Sequence, residues 1–278
     1  MLFIVNPISG KGRKSRIVAH LQQKGYKVVY TEYAGHAEHL AHEAKEKVIV
    51  AVGGDGTVNE VARGILGTDK ALGIIPCGSG DGLALHLGIS RNYKTAIRAI
   101  ERGNVKAIDS GTIDGRPFFS VCGTGFDAVV SERFAKSGRR GLLNYIKQGL
   151  KTWKEYTPEK YIMTIDGQKQ VIDAALITVG NSNQWGNNAR ITPLADISDG
   201  VLDVTVVDMF STIEMPALGY LLMTGRLDRN SNVHCYRGKH IRITRKVSGP
   251  AHADGDCFNA GTELDIKVLP STLKVIIP

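Results

Sequence analysis

Over the first hundred residues, short apolar runs alternate with stretches whose apolar positions recur every three or four residues. The short runs predict strands at Leu2 to Val5, Tyr26 to Tyr30, Lys47 to Val52 and Ala71 to Ile75. The periodic stretches predict helices at Arg16 to Gln23, Ala37 to Lys45, Leu83 to Leu87 and Tyr93 to Glu101. A further helix follows Gly56, with Val58, Val61, Ala62, Ile65 and Leu66 near one face. Val48 to Val52 is apolar throughout, as in a strand covered on both faces of a parallel sheet. Strand and helix in alternation predict an α/β domain with a doubly wound parallel sheet. Right-handed crossovers gather the loops that follow the strands along the sheet's carboxyl edge. Three of those loops, after Val5, Val52 and Ile75, are rich in glycine.

From about Asp109 the pattern changes. Phe118 to Val121, Tyr161 to Ile165, Val171 to Val179, Val201 to Val207, His240 to Thr244 and Leu264 to Val268 predict strands. Asp114-Gly115, Asp166-Gly167, Asp199-Gly200 and Asp254-Gly255 supply turns between or beside them. Two helical stretches interrupt, Val129 to Trp153 (broken near Gly138) and Ile213 to Thr224. This predicts a mostly antiparallel β-sandwich, with the change of domain between residues 109 and 117 and domains at 1–112 and 113–278.

The 278 residues suffice for two ordinary domains. No stretch reaches the ~18 apolar residues of a membrane span, and Met1 leads directly into a strand rather than a secretory leader. Cys77, Cys122, Cys235 and Cys257 are far apart, which predicts reduced thiols in a cytosolic protein, with neither a disulfide frame nor a zinc knuckle. A net charge of +8 favours anionic partners: a nucleotide, a nucleic acid or an acidic membrane surface. Nucleic acid is disfavoured, because aromatics are only 6% and do not interleave with the basic residues.

The chemistry concentrates in the glycine turns. Gly53-Gly54-Asp55-Gly56 ends a strand and opens a helix, so free amides and a positive dipole end face a space with little side-chain bulk. That is a phosphate-binding turn, unless Asp55 or Thr57 only caps the helix. Asn6-Pro7-Ile8-Ser9-Gly10-Lys11-Gly12 lacks the glycine spacing of a Walker A loop before Lys14-Ser15, and Gly78-Ser79-Gly80-Asp81-Gly82 does not match G-x-G-x-x-G. His36, His39 and His42 spread over too wide a helical arc for a compact ligand set.

Asn6-Pro7-Ile8-Ser9-Gly10, Gly53 to Glu60, Pro76 to Ala84, Pro193-Leu194-Ala195, Asp199 to Asp203 and Asp254-Gly255-Asp256 together resemble, in order, the motifs of the diacylglycerol kinase and sphingosine kinase superfamily. The resemblance implies a phosphofructokinase- or NAD-kinase-like nucleotide domain, a β-rich lipid domain, and ATP and lipid meeting in the cleft between them. By resemblance, Asn6, Pro7, Gly10, Thr31, Gly53, Gly54, Gly56, Thr57, Asn59, Glu60, Gly78, Ser79 and Gly80 line the ATP site, and Arg140 reaches the phosphates. Asp55, Asp254 and Asp256 are the catalytic candidates, with Asp256 standing where the family has glutamate. Asp81 and Asp127 are candidates for the substrate. Asp199 and Val201 match a structural Mg2+ site, and Asp256 is a candidate for the catalytic Mg2+. The expected activity is ATP- and Mg2+-dependent phosphorylation of a sphingoid or diacylglycerol hydroxyl. The expected setting is the inner membrane surface, approached peripherally from the cytosol, with a homodimer as a further expectation. An NAD kinase and a non-catalytic nucleotide- or lipid-binding protein are the alternatives.

Overall fold

The computed structural model describes residues 1–8, 14–136, 149, 151–153 and 155–278. The chain forms two compact units, Met1–Asp109 with Pro270–Pro278, and Ser110–Leu269. The long stretch of the first unit ends at Asp109. The last nine residues, expected in the second domain, belong instead to the first unit.

The first unit runs β1 (Leu2–Val5), α1 (Lys14–Gln23), β2 (Lys27–Tyr30), α2 (His36–Glu43), β3 (Val48–Gly53), α3 (Asp55–Ile65), β4 (Ala71–Pro76), α4 (Gly82–His86) and α5 (Tyr93–Arg102). The strands are parallel in the order β2-β1-β3-β4, and Val5 pairs with both Tyr30 and Val52. Phe3, Ile4, Val50, Val52, Leu72 and Ile75 are fully buried, as strands with helices on both faces require. The chain leaves β1 in one direction for β2 and returns past it to β3. The loops after β1 and β3 therefore diverge at the point where such sheets bind ligands.

The second unit contains β5 (Val105–Ile113, which begins in the first), β6 (Arg116–Phe118), β7 (Val121–Gly125), α6 (Phe126–Lys136), β8 (Glu159–Ile165), β9 (Gln168–Ala174), β10 (Leu176–Gly180), β11 (Leu202–Val207), α7 (Met215–Thr224), β12 (Val233–Gly238), β13 (His240–Arg245), β14 (Gly249–Ala253), β15 (Asp256–Ala260) and β16 (Glu263–Ile276). One antiparallel sheet has the order β12-β11-β10-β7-β14-β15, and β16, β13, β8 and β9 form the facing one. Phe118, Met163, Ile177, Val204, Ile243, Ala251 and Ile266 share the core between them. The end of β16 then pairs in parallel with β4 in the first unit, Lys274 with Ala71 and Val275 with Leu72.

Two expectations change. The apolar run Val171 to Val179 is two strands. β9 pairs with β8 and β10 with β7, so the chain turns a corner at Ala175, whose amide donates to the Val207 carbonyl at 2.8 Å. Of the expected helix from Val129 to Trp153, α6 starts earlier, at Phe126. The expected break near Gly138 lies outside the described residues.

Candidate active site

In the first unit, the turns after β1, β3 and β4 are tied to one another. Asn6 donates through its amide to the Val52 carbonyl at 3.2 Å and through Nδ2 to Thr57 Oγ1 at 3.2 Å. Its Oδ1 accepts from the Ile8 amide at 2.9 Å, which bends the chain out of the strand at Pro7. Thr31 is buried and extends the pairing of β1 through its amide to the Val5 carbonyl at 3.0 Å. Lys14, at the start of α1, places its ammonium on the Asn6 carbonyl oxygen, and burial lowers its pKa from the ordinary lysine value. No Walker spacing marks this lysine in the sequence; its signal is a lysine opening a helix after a glycine-rich stretch. Gly10 lies outside the described residues.

The turns after β3 and β4 touch backbone to backbone. A Cβ on Gly78 would stand 2.7 Å from the Gly54 Cα, so both positions need glycine for closeness. Gly54 caps α3 with its carbonyl, which accepts from Val58 at 3.1 Å. The amides of Asp55, Gly56 and Thr57 thus form the open first turn. A Cβ added at Gly56 would have nothing within 4 Å, so the space beside that first turn is open. Gly53 lies buried under Thr57.

Asp55 is engaged across the gap. Its two oxygens accept from the amides of Asp81 at 2.8 Å and Gly82 at 2.7 Å, so it caps α4 rather than its own helix. Gly80 leaves room for it, since a Cβ there would meet Asp55 Oδ2 at 2.6 Å. Asp81, 3% exposed, is turned into its own loop. It accepts from the Gly78 amide at 2.8 Å and pairs with Arg91 Nε at 3.1 Å. Burial, then the charge of Asp55, raises its pKa. Arg91 also donates to the carbonyls of Ser79 at 3.2 Å and Gly80 at 3.0 Å, a brace that no sequence motif marks. Glu60 faces elsewhere, accepting from the Ala37 amide at 3.1 Å at the start of α2. Asn59 is buried beside Val58 in α3.

In the second unit, Asp254 and Gly255 have φ of 48° and 87° and join β14 to β15 in a two-residue turn with φ positive at both positions. The Asp254 carboxylate accepts from the amides of Phe119, Ser120 and Val121 at 2.8, 2.8 and 2.9 Å. Burial pushes its pKa up to about 6, although the three donors pull it down. Asp256 begins β15 with its side chain exposed. The two carboxylates therefore play different parts, one holding the entry to β7 and one facing solvent.

Asp127, 2% exposed, is also held from within. Its Oδ1 accepts from the Ala128 amide at 2.8 Å, and its Oδ2 meets Thr178 Oγ1 at 2.9 Å and His252 Nε2 at 3.1 Å. Thr178 and His252 were not singled out from sequence, because only the pairing of β10 and β14 with β7 brings them to Asp127. Asp199 pairs with Arg237 and accepts from the Val201 amide at 3.2 Å. Among the described residues, no group of three or more His, Cys, Asp or Glu side chains is disposed to hold a metal. Arg140 lies outside the described residues.

The chain thus joins an α/β unit with glycine turns at the carboxyl ends of its strands to an antiparallel β-sandwich. The diacylglycerol kinase catalytic domain family matches residues 1–113, and the YegS C-terminal NAD kinase beta sandwich-like domain matches residues 120–277. The diacylglycerol kinase of Mycobacterium tuberculosis is 30% identical over 99% of this chain and 94% of its own length. The probable lipid kinase YegS of Salmonella newport is 27% identical over 88% of this chain and 83% of its own. A solved putative diacylglycerol kinase from Bacillus anthracis superposes with a TM-score of 0.80 at 25% identity, covering 100% and 96% of the two chains. An NAD kinase from Archaeoglobus fulgidus, solved in complex with ATP, shares the fold alone, with a TM-score of 0.59 at 14% identity over 99% and 92%. This chain belongs to the diacylglycerol kinase and YegS family of lipid kinases.

Proposed function

We propose that the protein transfers the γ-phosphoryl group of ATP to the primary hydroxyl of a diacylglycerol-type lipid. One observation carries this reading: the closed pair of glycine turns at Gly54 and Gly78 beside the open first turn of α3. ATP would supply the phosphoryl group, and a hard cation such as Mg2+ would neutralise its phosphate charge. The amides of Asp55, Gly56 and Thr57 would bind phosphate oxygens, with the Lys14 ammonium adding positive charge. Asp256 is the group we assign to accept the hydroxyl proton as the new oxygen–phosphorus bond forms and ADP leaves. Asp55 and Asp256 are both exposed, but the oxygens of Asp55 are held by the amides of Asp81 and Gly82, and the Asp254 carboxylate is held by those of Phe119, Ser120 and Val121. Asp55 and Asp81 keep the loop in shape instead of touching substrate.

The inward setting of Asp127 favours a neutral glycerolipid over a sphingoid base, whose ammonium would need an outward carboxylate. The test is incubation of the protein with γ-labelled ATP and Mg2+ against diacylglycerol, sphingosine and NAD in parallel. Label in the diacylglycerol product is expected. Label on NAD with none on lipid would overturn the proposal.

A further inference from the structure

The helix α7 is apolar all round. Met215–Thr224 carries no charged residue in ten positions, yet Leu218 is its one buried side chain. Leu218 and the partly buried Leu221 and Leu222 pack on a satellite core with Val121, Leu176, Val207 and Val233. Tyr220 and Met223, on the face opposite Leu218, are exposed by 63% and 49%, and Ile213, in the turn just before the helix, by 88%. A helix apolar on every side belongs in a nonpolar medium on both faces, and here only one face is covered by protein.

The charges around it are sorted. Arg190, Arg226 and Arg229 are exposed at its C-terminal end, where Arg190 lies against Gly225 and its amide donates to the Leu222 carbonyl at 2.9 Å. Asp228 is the one acid among them. Of two further acids, Glu214, exposed beside Ile213, accepts from the Ser211 amide at 2.7 Å and from Asn232 at 3.2 Å, and Asp208 meets His234 at 2.8 Å. Ten residues span about 15 Å, half of a bilayer's hydrocarbon thickness. Among the described residues no helix is long and apolar enough to cross a membrane.

We propose that α7 lies in the surface of an anionic phospholipid bilayer, with Ile213, Tyr220 and Met223 among the acyl chains and Arg226 and Arg229 on the phosphates. A short apolar helix flanked by cations, with a tyrosine at the rim, is the form such contacts take. The inference rests on the lipid-kinase reading only in that a bilayer would present the substrate.

The test is co-sedimentation of the full chain with vesicles of phosphatidylcholine, with and without about a third of phosphatidylglycerol. The wild type is expected to bind the anionic vesicles more tightly. The triple variant Ile213→Ser, Tyr220→Ser, Met223→Ser should bind about tenfold more weakly or worse, with an unchanged circular dichroism spectrum. Should the triple variant misfold, Arg226→Gln with Arg229→Gln decides: binding to anionic vesicles should fall while binding to neutral ones stays. Equal binding by wild type and variants overturns the proposal. So does a wild-type dimer that the triple variant makes monomeric while neither binds vesicles, because the occupant is then a second copy. Phosphorylation of a dispersed short-chain diacylglycerol separates the two readings. If the wild type docks through α7 but labels no lipid, the kinase reading falls and the docking stands; if it labels lipid and the variants dock normally, the reverse holds.

Discussion

Asp55, Asp254 and Asp256 are the same side chain in three settings, and their hydrogen bonds divide the labour. Asp55 holds the start of α4 and Asp254 holds the entry to β7, each through backbone amides, while Asp256 stands exposed, as Asp55 does, at the start of β15. Asp256→Asn is expected to keep the melting temperature within a degree or so and to lower turnover by about a hundredfold, the lower end of what a general base contributes. Asp55→Ala should instead cost about 1 kcal/mol of stability, read by denaturant melts, together with nucleotide affinity. Asp203 offers a pH test. Its Oδ2 is buried without a hydrogen-bond partner, and burial pushes its pKa up to about 6, against the pull of Arg237. A carboxyl raised in the folded state binds its proton more tightly there. Its contribution to stability is therefore full below the unfolded value near 4 and is lost as pH rises through about 6. Between pH 7 and pH 5 the wild type should gain a few degrees of melting temperature relative to Asp203→Asn, and a constant difference would contradict the assignment. The motifs named these acids in the sequence, but not what each one touches. Asp254 and Phe119 are 135 positions apart and meet only through sheet pairing.

The turns of the first unit were legible as elements because glycine and a strand-to-helix change of period fall together at Gly53 to Val58 and Gly78 to Leu83. Their contact was not legible, since nothing local says that Gly54 and Gly78 approach within van der Waals distance. Gly78→Ala must push the turn away from both the Gly54 backbone and Asp81 Oδ1, each 2.7 Å from the new Cβ. It is expected to weaken ATP binding about tenfold or more by calorimetry, with the far-ultraviolet spectrum unchanged. In the sandwich, β12, β14 and β15 escaped the hydrophobic pattern. β12 and β15 are edge strands, and edges carry polar residues such as His234, Arg237, Asp256 and Asn259. β14 is central, but its Gly249-Pro250 start and the buried His252 hide the alternation.

For the molecule as a whole, the order of strands and helices predicted the α/β unit followed by a β-sandwich, and family and fold agree. The return of Pro270–Pro278 to the first unit was hidden, because the end of β16 reads as one more apolar strand whichever sheet receives it. Phosphoryl transfer from ATP to a lipid hydroxyl can be followed in a single assay. The purified protein is given γ-labelled ATP, Mg2+ and diacylglycerol in mixed micelles, and the label is followed into the chloroform-soluble phase. ATP-dependent label is expected in a phosphorylated lipid, nearly abolished by Asp256→Asn. Tight ATP binding with no label leaving the aqueous phase for any lipid acceptor would contradict it.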